Sequence, residues 1–299
     1  MLVGRFAPSP SGRMHLGNVF TALLAWCSVR SRGGKMILRI EDLDPDRSKE
    51  SFIQALREDL LWLGLDWDEE MPLQSTRGGV YEQYFERLPV YPCYCTRSEL
   101  HSASAPHGRD GSFLYAGPCR NLTDAQRQAQ SRKPSWRVAL DDRSISFIDG
   151  VYGELTQIPK EECGDFILRR ADGVYAYQLA VVCDDALGGV TEVVRGRDLL
   201  DSTPRQIWLY EKLGFTPPIF YHVPLLVAPD GRRLSKRERD LDLGHLRQEY
   251  TAPQLVGILA HSCGLIRNLT ALTPKELLQK FSWSKVRKED ISILEYFQS

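Results

Sequence analysis

Within its first 63 residues the chain alternates twice between a short apolar run and a longer stretch of helical periodicity, which constrains its fold more than any other feature. Gly4 to Pro8 reads as a strand. Leu16 to Arg32 reads as a helix, with Leu16, Phe20, Leu23, Leu24 and Cys27 on one face and Gly33-Gly34 ending it. Lys35 to Ile40 is a second apolar strand. Ser48 to Leu63 is a second helix, with Phe52, Leu56, Leu60 and Leu63 inward and Ser48 as its cap. Strand, helix, strand, helix predicts a parallel α/β sheet. From Tyr91 to about Ile158 the pattern changes to clustered cysteines, a Ser/Ala/His/Gly stretch and short polar-alternating strands at Trp136 to Leu140 and Ser144 to Ile148, which predicts an inserted unit. Alternation resumes with apolar strands at Ala176 to Val182, Glu192 to Val194 and Val223 to Val227 and a helix at Thr203 to Leu213. Gly231 opens a basic loop. Asp242 to Ser299 then shows helical periodicity interrupted by Pro253 and Pro274, which predicts a small helical unit.

Charge and apolar content exclude several functions. Lys plus Arg number 38 against 39 Asp plus Glu, so no global positive field exists and any nucleic-acid contact must use a local patch. The longest apolar runs fall far short of the roughly 20 residues of a membrane span. Met1 to Gly12 has no apolar stretch of signal-peptide length, so a cytoplasmic location is expected. Seven unevenly spaced cysteines argue against a disulfide framework and leave packing, metal binding or catalysis as their uses.

Two segments suggest phosphate chemistry. Phe6-Ala-Pro-Ser-Pro-Ser-Gly12 leads into His15-Leu-Gly-Asn18 at a helix start, where free N–H groups and the helix dipole favour an anion and His15 can donate a hydrogen bond. Asp230-Gly-Arg-Arg-Leu-Ser-Lys-Arg237 places several cations on a loop after an apolar strand. Either alone reads as readily as a surface turn or a solvated charge run. Together they resemble the HIGH and KMSKS signatures of class I aminoacyl-tRNA synthetases. Arg5-Phe-Ala-Pro-Ser-Pro-Ser-Gly12, Arg39-Ile-Glu-Asp-Leu-Asp-Pro45 and Glu192-Val-Val-Arg-Gly-Arg-Asp-Leu199 narrow the resemblance to the glutamyl/glutaminyl branch. Asn18 stands where HIGH ends in His, Arg233 replaces the first Lys of KMSKS, and Leu43 stands where the discriminating glutamyl enzymes commonly carry Thr.

The resemblance implies a class I Rossmann-type parallel sheet with a zinc-containing insertion and a small C-terminal helical domain. It implies that His15, Gly17, Asn18, Ser235 and Lys236 handle ATP, with His15 and Lys236 catalytic. Arg5, Tyr177 and Arg195 would hold the glutamate side-chain carboxylate, with Ser9 and Glu41 receiving its amino group. Bland readings compete: Arg5 and Glu41 as an ion pair between strands, Tyr177 as a core aromatic beside Tyr175. Asp184-Asp185 falls at an expected strand end with no assigned role.

Cys93, Cys95 and Cys119 could surround one tetrahedral Zn²⁺. From ligand frequencies alone, His101 or His107 would be the fourth ligand. Short glutamyl-tRNA synthetase paralogues instead carry Cys-x-Cys followed by Tyr-x-x-x-Cys, which implies Cys93, Cys95, Tyr115 and Cys119 as a structural zinc site. The remaining cysteines, Cys27, Cys163, Cys183 and Cys263, read as packing.

Only about sixty residues follow Arg237, enough for stem-contact helices but not for an anticodon reader as well. The chain is thereby similar to the glutamyl-Q tRNA(Asp) synthetase family. Expected segments are 1–90 and 163–230 as the two halves of the catalytic domain, 91–162 as the zinc-containing insertion, and 231–299 as the KMSKS-like loop with the stem-contact-like helices. The implied reaction is ATP-dependent activation of L-glutamate and its transfer to queuosine at the first anticodon position of tRNA(Asp), with Mg²⁺ accompanying ATP, by a monomer. The alternatives are a truncated glutamyl-tRNA synthetase charging a 3′ end, a ligase using the adenylate on a small molecule or protein, and a non-catalytic RNA-binding module.

Overall fold

The computed structural model describes residues 1–96, 99, 114–232 and 241–297. The N-terminal alternation forms β1 (Val3–Phe6), α1 (Leu16–Arg30), β2 (Lys35–Leu38), α2 (Glu50–Trp62) and β3 (Glu69–Glu70). These strands pair in parallel in the order β1-β2-β3, with Val3 opposite Lys35 and Ile37 opposite Glu69. Most of α1, from Leu16 to Val29, is buried. It ends where Gly34 N donates to Val29 O at 2.9 Å and Gly33 takes φ +67°, a left-handed conformation that favours glycine. The cap of α2 is Lys49, not Ser48, and it makes no side-chain bond; the Ser48 backbone N–H is instead spent on Asp44 O at 3.0 Å in the preceding turn.

After α3 (Gly78–Phe85), the chain forms an antiparallel sheet of β4 (Val90–Cys93), β5 (Ser135–Val138) and β8 (Ile167–Arg169), with α4 (Asp124–Gln128) between β4 and β5. Within the 91–162 span, β6 (Ile145–Asp149) and β7 (Gly153–Gln157) form a hairpin followed by α5 (Pro159–Glu162). That hairpin belongs to a different sheet, ordered β7-β6-β10-β9, in which β10 (Ile219–Val223) runs parallel to both β6 and β9 (Glu192–Gly196). Such pairing cannot be read locally, because the partner of β6 lies some seventy residues downstream. β9 in turn lies beside β1, where Thr191 N donates to Val3 O and Thr191 Oγ1 accepts from Val3 N, each at 2.9 Å. The strands thus succeed one another as β3, β2, β1, β9, β10, β6, β7.

Ala176 to Val182 is not a strand. Tyr177–Leu187 forms a helix, α6, and Asp184 and Asp185 lie in its last turns. Seven successive residues, Leu179 to Asp185, are buried, so the helix has no polar face to reveal its period. It packs against α7 (Thr203–Leu213) and α3. The expected strand Val223 to Val227 is split at Pro224 into the end of β10 and β11 (Leu226–Val227). Beyond it come α8 (Leu243–Glu249), α9 (Ala252–Ser262), α10 (Pro274–Leu278) and β12 (Ile291–Ser292). Pro253 and Pro274 open α9 and α10 rather than break them, since a first-turn residue needs no N–H, and Thr251 with Gln254 and Thr273 with Glu276 make capping boxes. β12 returns to pair in parallel with β11.

Two large apolar clusters result. The first joins residues of β1, α1, β2 and α2 to α8, α9 and β12, including Leu243, Leu255, Leu259 and Ile291; the second lies among α3, β5, α6, α7 and β10.

Candidate active site

Parallel strands place the residues at their C-terminal ends around a common crevice, and the loops after β1, β2 and β9 meet there. Arg39, just past β2 and fully buried, binds Asp185 from α6 and donates to Glu41 Oε1 at 2.9 Å. Arg5 in β1 reaches the same Asp185 oxygen at 3.4 Å and donates to Val194 O at 3.2 Å. Arg5 and Glu41 therefore do not form the strand-to-strand ion pair that was the bland reading; Asp185 and Arg39 stand as their partners. Asp184 faces the other way, accepting from Gln74 Nε2 at 2.7 Å, Arg77 Nε at 2.8 Å and Tyr81 Oη at 2.9 Å, and ties α6 to α3.

Arg195 in β9 is 4 % exposed and is held by neutral groups. Its Nε donates to His222 Nε2 at 2.9 Å, Nη1 to Gln206 Oε1 at 2.7 Å, and Nη2 to Thr203 Oγ1 at 2.9 Å. Because Arg195 can only donate, His222 Nε2 must accept, which puts the imidazole proton on Nδ1, where it is donated to Asp149 Oδ2 at 2.7 Å. Burial, reinforced by Arg195 and opposed by Asp149, brings the His222 pKa down to about 4, so this relay is neutral at its histidine. Burial also lowers the Arg195 pKa, with Arg5 adding to the effect. Among the described residues Arg195 has no carboxylate within ion-pair distance. Three buried cations, Arg5, Arg39 and Arg195, lie near Asp185 and Glu41, and Arg195 reaches Asp149 only through the neutral His222 ring.

Tyr177 starts α6 and feels the charges of Glu41, Arg195, Arg5 and Arg39, which puts it in the same centre; burial raises its phenol. Burial likewise raises Glu41 despite Arg39 and Arg5. A ligand ammonium beside it would favour the ionised form. Tyr175, by contrast, packs edge-on to Tyr81 and Phe85 in the second cluster. Ser9 lies exposed in the turn after β1.

His15 is the N-cap of α1, with Nδ1 accepting from Gly17 N at 3.2 Å. Partial desolvation in this turn lowers its pKa, opposed by Asp198, although its outer edge stays exposed. With Nδ1 committed as acceptor, neutral His15 carries its proton on Nε2, as a donor to an anion needs. Gly17 and Asn18 follow on the first turn, Asn18 exposed. A bridge joins His15 to Asp242, and Leu243 N donates to Met14 O at 2.9 Å. Asp242 and Leu243 therefore lie against the His15 turn. Ser235 and Lys236 themselves lie outside the described residues.

In the insertion, the Sγ atoms of Cys93, Cys95 and Cys119 lie within 4.8 Å of one another, with Cys95 and Cys119 3.6 Å apart. Tetrahedral zinc–sulfur bonds place sulfurs about 3.8 Å apart, so the three thiols suit one zinc ion. Tyr115 Oη accepts from Cys119 N at 3.1 Å and hydrogen-bonds Cys93, which puts it at the fourth side of the cluster. The Arg137 guanidinium lies 3.8 Å from the centre of its ring. Burial opposes ionisation of Cys93, but Tyr115 and Arg137 outweigh it and hold this thiol below its ordinary range, whereas burial and the adjacent sulfurs push Cys95 up to about 12. His101 and His107 lie outside the described residues.

Residues 1–263 match the family described as tRNA synthetases class I (E and Q), catalytic domain. A protein from Symbiobacterium thermophilum named glutamyl-Q tRNA(Asp) synthetase is 47% identical over 98% of this chain and 96% of its own. The chain belongs to the class I tRNA synthetases of the E and Q family. A second relative of this synthetase, from Nitratidesulfovibrio vulgaris and bearing the same name, is 46% identical over 92% of this chain and 90% of its own. In structure the synthetase is similar to a glutamate tRNA ligase from Elizabethkingia meningosepticum solved in complex with its amino acid. The TM-score is 0.82 at 27% identity, over 98% of this chain and 67% of that one. No helix among the described residues of the synthetase is long and apolar enough to cross a membrane.

The sequence reading missed Arg39, His222, Gln206 and Thr203 as site residues and gave Asp185 no role. Arg39 carries a local signal, since it alternates with Glu41 along one extended segment. His222 carries none: it meets Arg195 only because β10 pairs with β9 in a register that sets these two residues opposite.

Proposed function

We propose that this protein activates L-glutamate with ATP and transfers it to queuosine at the first anticodon position of tRNA(Asp), working as a monomer in the cytoplasm. The observation that carries the amino-acid assignment is Arg195, a buried cation whose described partners are all neutral. A ligand carboxylate supplies Arg195 with a direct anionic partner, and a carboxamide does not. Arg5 and Tyr177 flank that carboxylate, and Glu41 with Ser9 receives the α-ammonium. The relatives' shared name supplies the acceptor.

In the first step a glutamate α-carboxylate oxygen attacks the α-phosphorus of ATP and pyrophosphate leaves. His15, donating from Nε2 at the start of α1, holds phosphoryl oxygen there with Gly17 and Asn18, while Ser235 donates a hydrogen bond to the departing phosphates and Lys236 neutralises their charge, with Mg²⁺ on ATP. In the second step a queuosine hydroxyl attacks the acyl carbon, the acyl–phosphate bond breaks and AMP leaves, its phosphate oxygen accepting the hydroxyl proton. Cys93, Cys95, Tyr115 and Cys119 would hold a structural zinc that fixes the loops of the insertion. Residues 1–90 and 163–230 supply most of the catalytic domain, 91–162 the insertion apart from the β6–β7 hairpin, which joins the catalytic sheet while β8 joins the sheet of the insertion, and 231–299 the stem-contact region.

The deciding experiment incubates the protein with labelled glutamate, ATP and tRNA(Asp) with or without queuosine, then locates the label after nuclease digestion. Label is expected on the queuosine nucleotide and absent from unmodified tRNA; label at the 3′ adenosine would establish the charging enzyme instead. Glutamate-dependent ATP–pyrophosphate exchange should proceed without RNA, and Lys236→Ala should slow it at least about tenfold. An unchanged rate removes Lys236 from the site. Metal analysis should find one zinc per chain in protein purified without chelator, diminished in Cys93→Ser and Cys119→Ser, with exchange partly retained in folded variants. Zinc-free wild-type protein would refute the site.

A further inference from the structure

Asp59, fully buried in the third turn of α2, touches neither the glutamate centre nor the cysteine cluster. Its Oδ1 accepts from Arg13 Nη2 at 3.1 Å and from Arg247 Nη1 at 2.7 Å, and its Oδ2 accepts from Arg13 Nε at 3.4 Å. Arg13 belongs to the turn that ends in His15. Arg247 belongs to α8, the first helix after residues 233–240, and its guanidinium also lies 4.8 Å from the centre of the Trp62 ring. The two arginines come from segments more than two hundred residues apart, and both are part-exposed where Asp59 is not.

Around this carboxylate the same two segments meet again. Leu243 N donates to Met14 O, and Asp242 bridges His15. At Gly244 a Cβ would lie 2.9 Å from Arg13 Cδ and 2.8 Å from Asp242 Oδ1, so a side chain there would displace one of them. Every side chain that Asp59 is seen to bind lies on one of these two segments.

We propose that Asp59 is a positioning residue for adenylate formation, and this rests on the reading of the His15 turn and the 233–240 segment as the ATP-handling elements. One carboxylate shared by two guanidiniums sets the distance between the His15 turn and α8, the helix that follows the later segment in sequence. Replacing its charge with an amide frees both part-exposed arginines to turn to water, and the two elements lose their common reference. The glutamate residues on β9 and α6 are not connected to this clamp, so ATP handling suffers and glutamate binding does not.

The test is steady-state ATP–pyrophosphate exchange by the full chain, with KM for ATP and for glutamate measured separately. Asp59→Asn should raise KM for ATP at least about fivefold and lower kcat, with KM for glutamate within about twofold of wild type. Arg247→Ala should shift KM for ATP in the same direction, Arg247→Lys should restore part of it, and the double variant Asp59→Asn/Arg247→Ala should be little worse than Asp59→Asn alone. A folded Asp59→Asn protein with unchanged KM for ATP, or with both KM values raised alike, overturns the proposal. If Asp59→Asn does not fold, the Arg247 variants decide by the same split. Absence of exchange in the wild-type protein overturns the activation reading itself, a distinguishable result.

Discussion

Replacing Arg195 with glutamine should cut glutamate-dependent ATP–pyrophosphate exchange by about a hundredfold or more, equivalent to about 2.7 kcal/mol of lost transition-state stabilisation. Among the described residues no carboxylate lies within ion-pair distance of Arg195, so the variant removes the cation proposed to face the substrate carboxylate. Glutamine is the better replacement than leucine because it retains an amide donor. Leucine would strand Gln206 Oε1 and leave His222 Nε2 with only Thr203 Oγ1, 3.2 Å away, in a buried site, and the outcome would mix lost folding with lost recognition. Exchange supported by glutamine at high concentration should fall less, so the preference for glutamate narrows. Measuring both substrates beside a thermal melt checks this; an intact preference in a folded variant would shift the assignment to Arg5.

Asp185→Asn should destabilise the fold by about 3–5 kcal/mol, the usual consequence of removing one partner from a buried ionic cluster. Asp185 is the acid against which both Arg5 and Arg39 rest, and its loss sets two buried cations against each other. The linkage to pH has a definite sign. Burial would raise the Asp185 pKa, but Arg39 and Arg5 outweigh burial and hold it below the ordinary carboxylate range. A depressed carboxylate contributes stability that is fully present above its unfolded-state pKa, about 4, and lost as pH falls through its lower folded value. Wild-type protein should therefore lose stability on acidification below about pH 4 more steeply than Asp185→Asn does. Urea unfolding midpoints across that range measure it. Parallel curves for the two proteins would remove Asp185 as the origin of the acid sensitivity.

What the sequence discloses and what it conceals follow from the range of the interactions involved. The pattern from β1 to α2 is legible because strands and helices there are neighbours in the chain and Gly33 marks a turn that needs a left-handed residue. α6 is hidden because its interior position erases amphipathic contrast, and a short apolar run then looks like a strand. The hairpin of β6 and β7 could be seen as strands but not assigned to a sheet, since its partner arrives after α7. In the site, Arg5, Glu41, Tyr177 and Arg195 emerge from motif resemblance, which encodes distant pairings that no local rule reaches. Their supports are harder to see: Asp185 was visible as an oddity without a role, and His222 depends entirely on the register of β10 against β9.

The division of the first apolar cluster between the two ends of the chain bears on how the protein is made. Leu16, Leu38 and Leu60 leave the ribosome early, whereas Leu255, Leu259 and Ile291, which cover them, emerge last. Until then the N-terminal βαβα unit exposes the surface that the final helices are to bury, and contacts of such high sequence separation form slowly. The second cluster, drawn from residues between Tyr81 and Phe220, has no such dependence and can consolidate while synthesis continues. The nascent chain should therefore gain protease resistance in its middle before its beginning. Release of the C-terminal segment then closes the larger core and brings Asp242 to His15 in the same event.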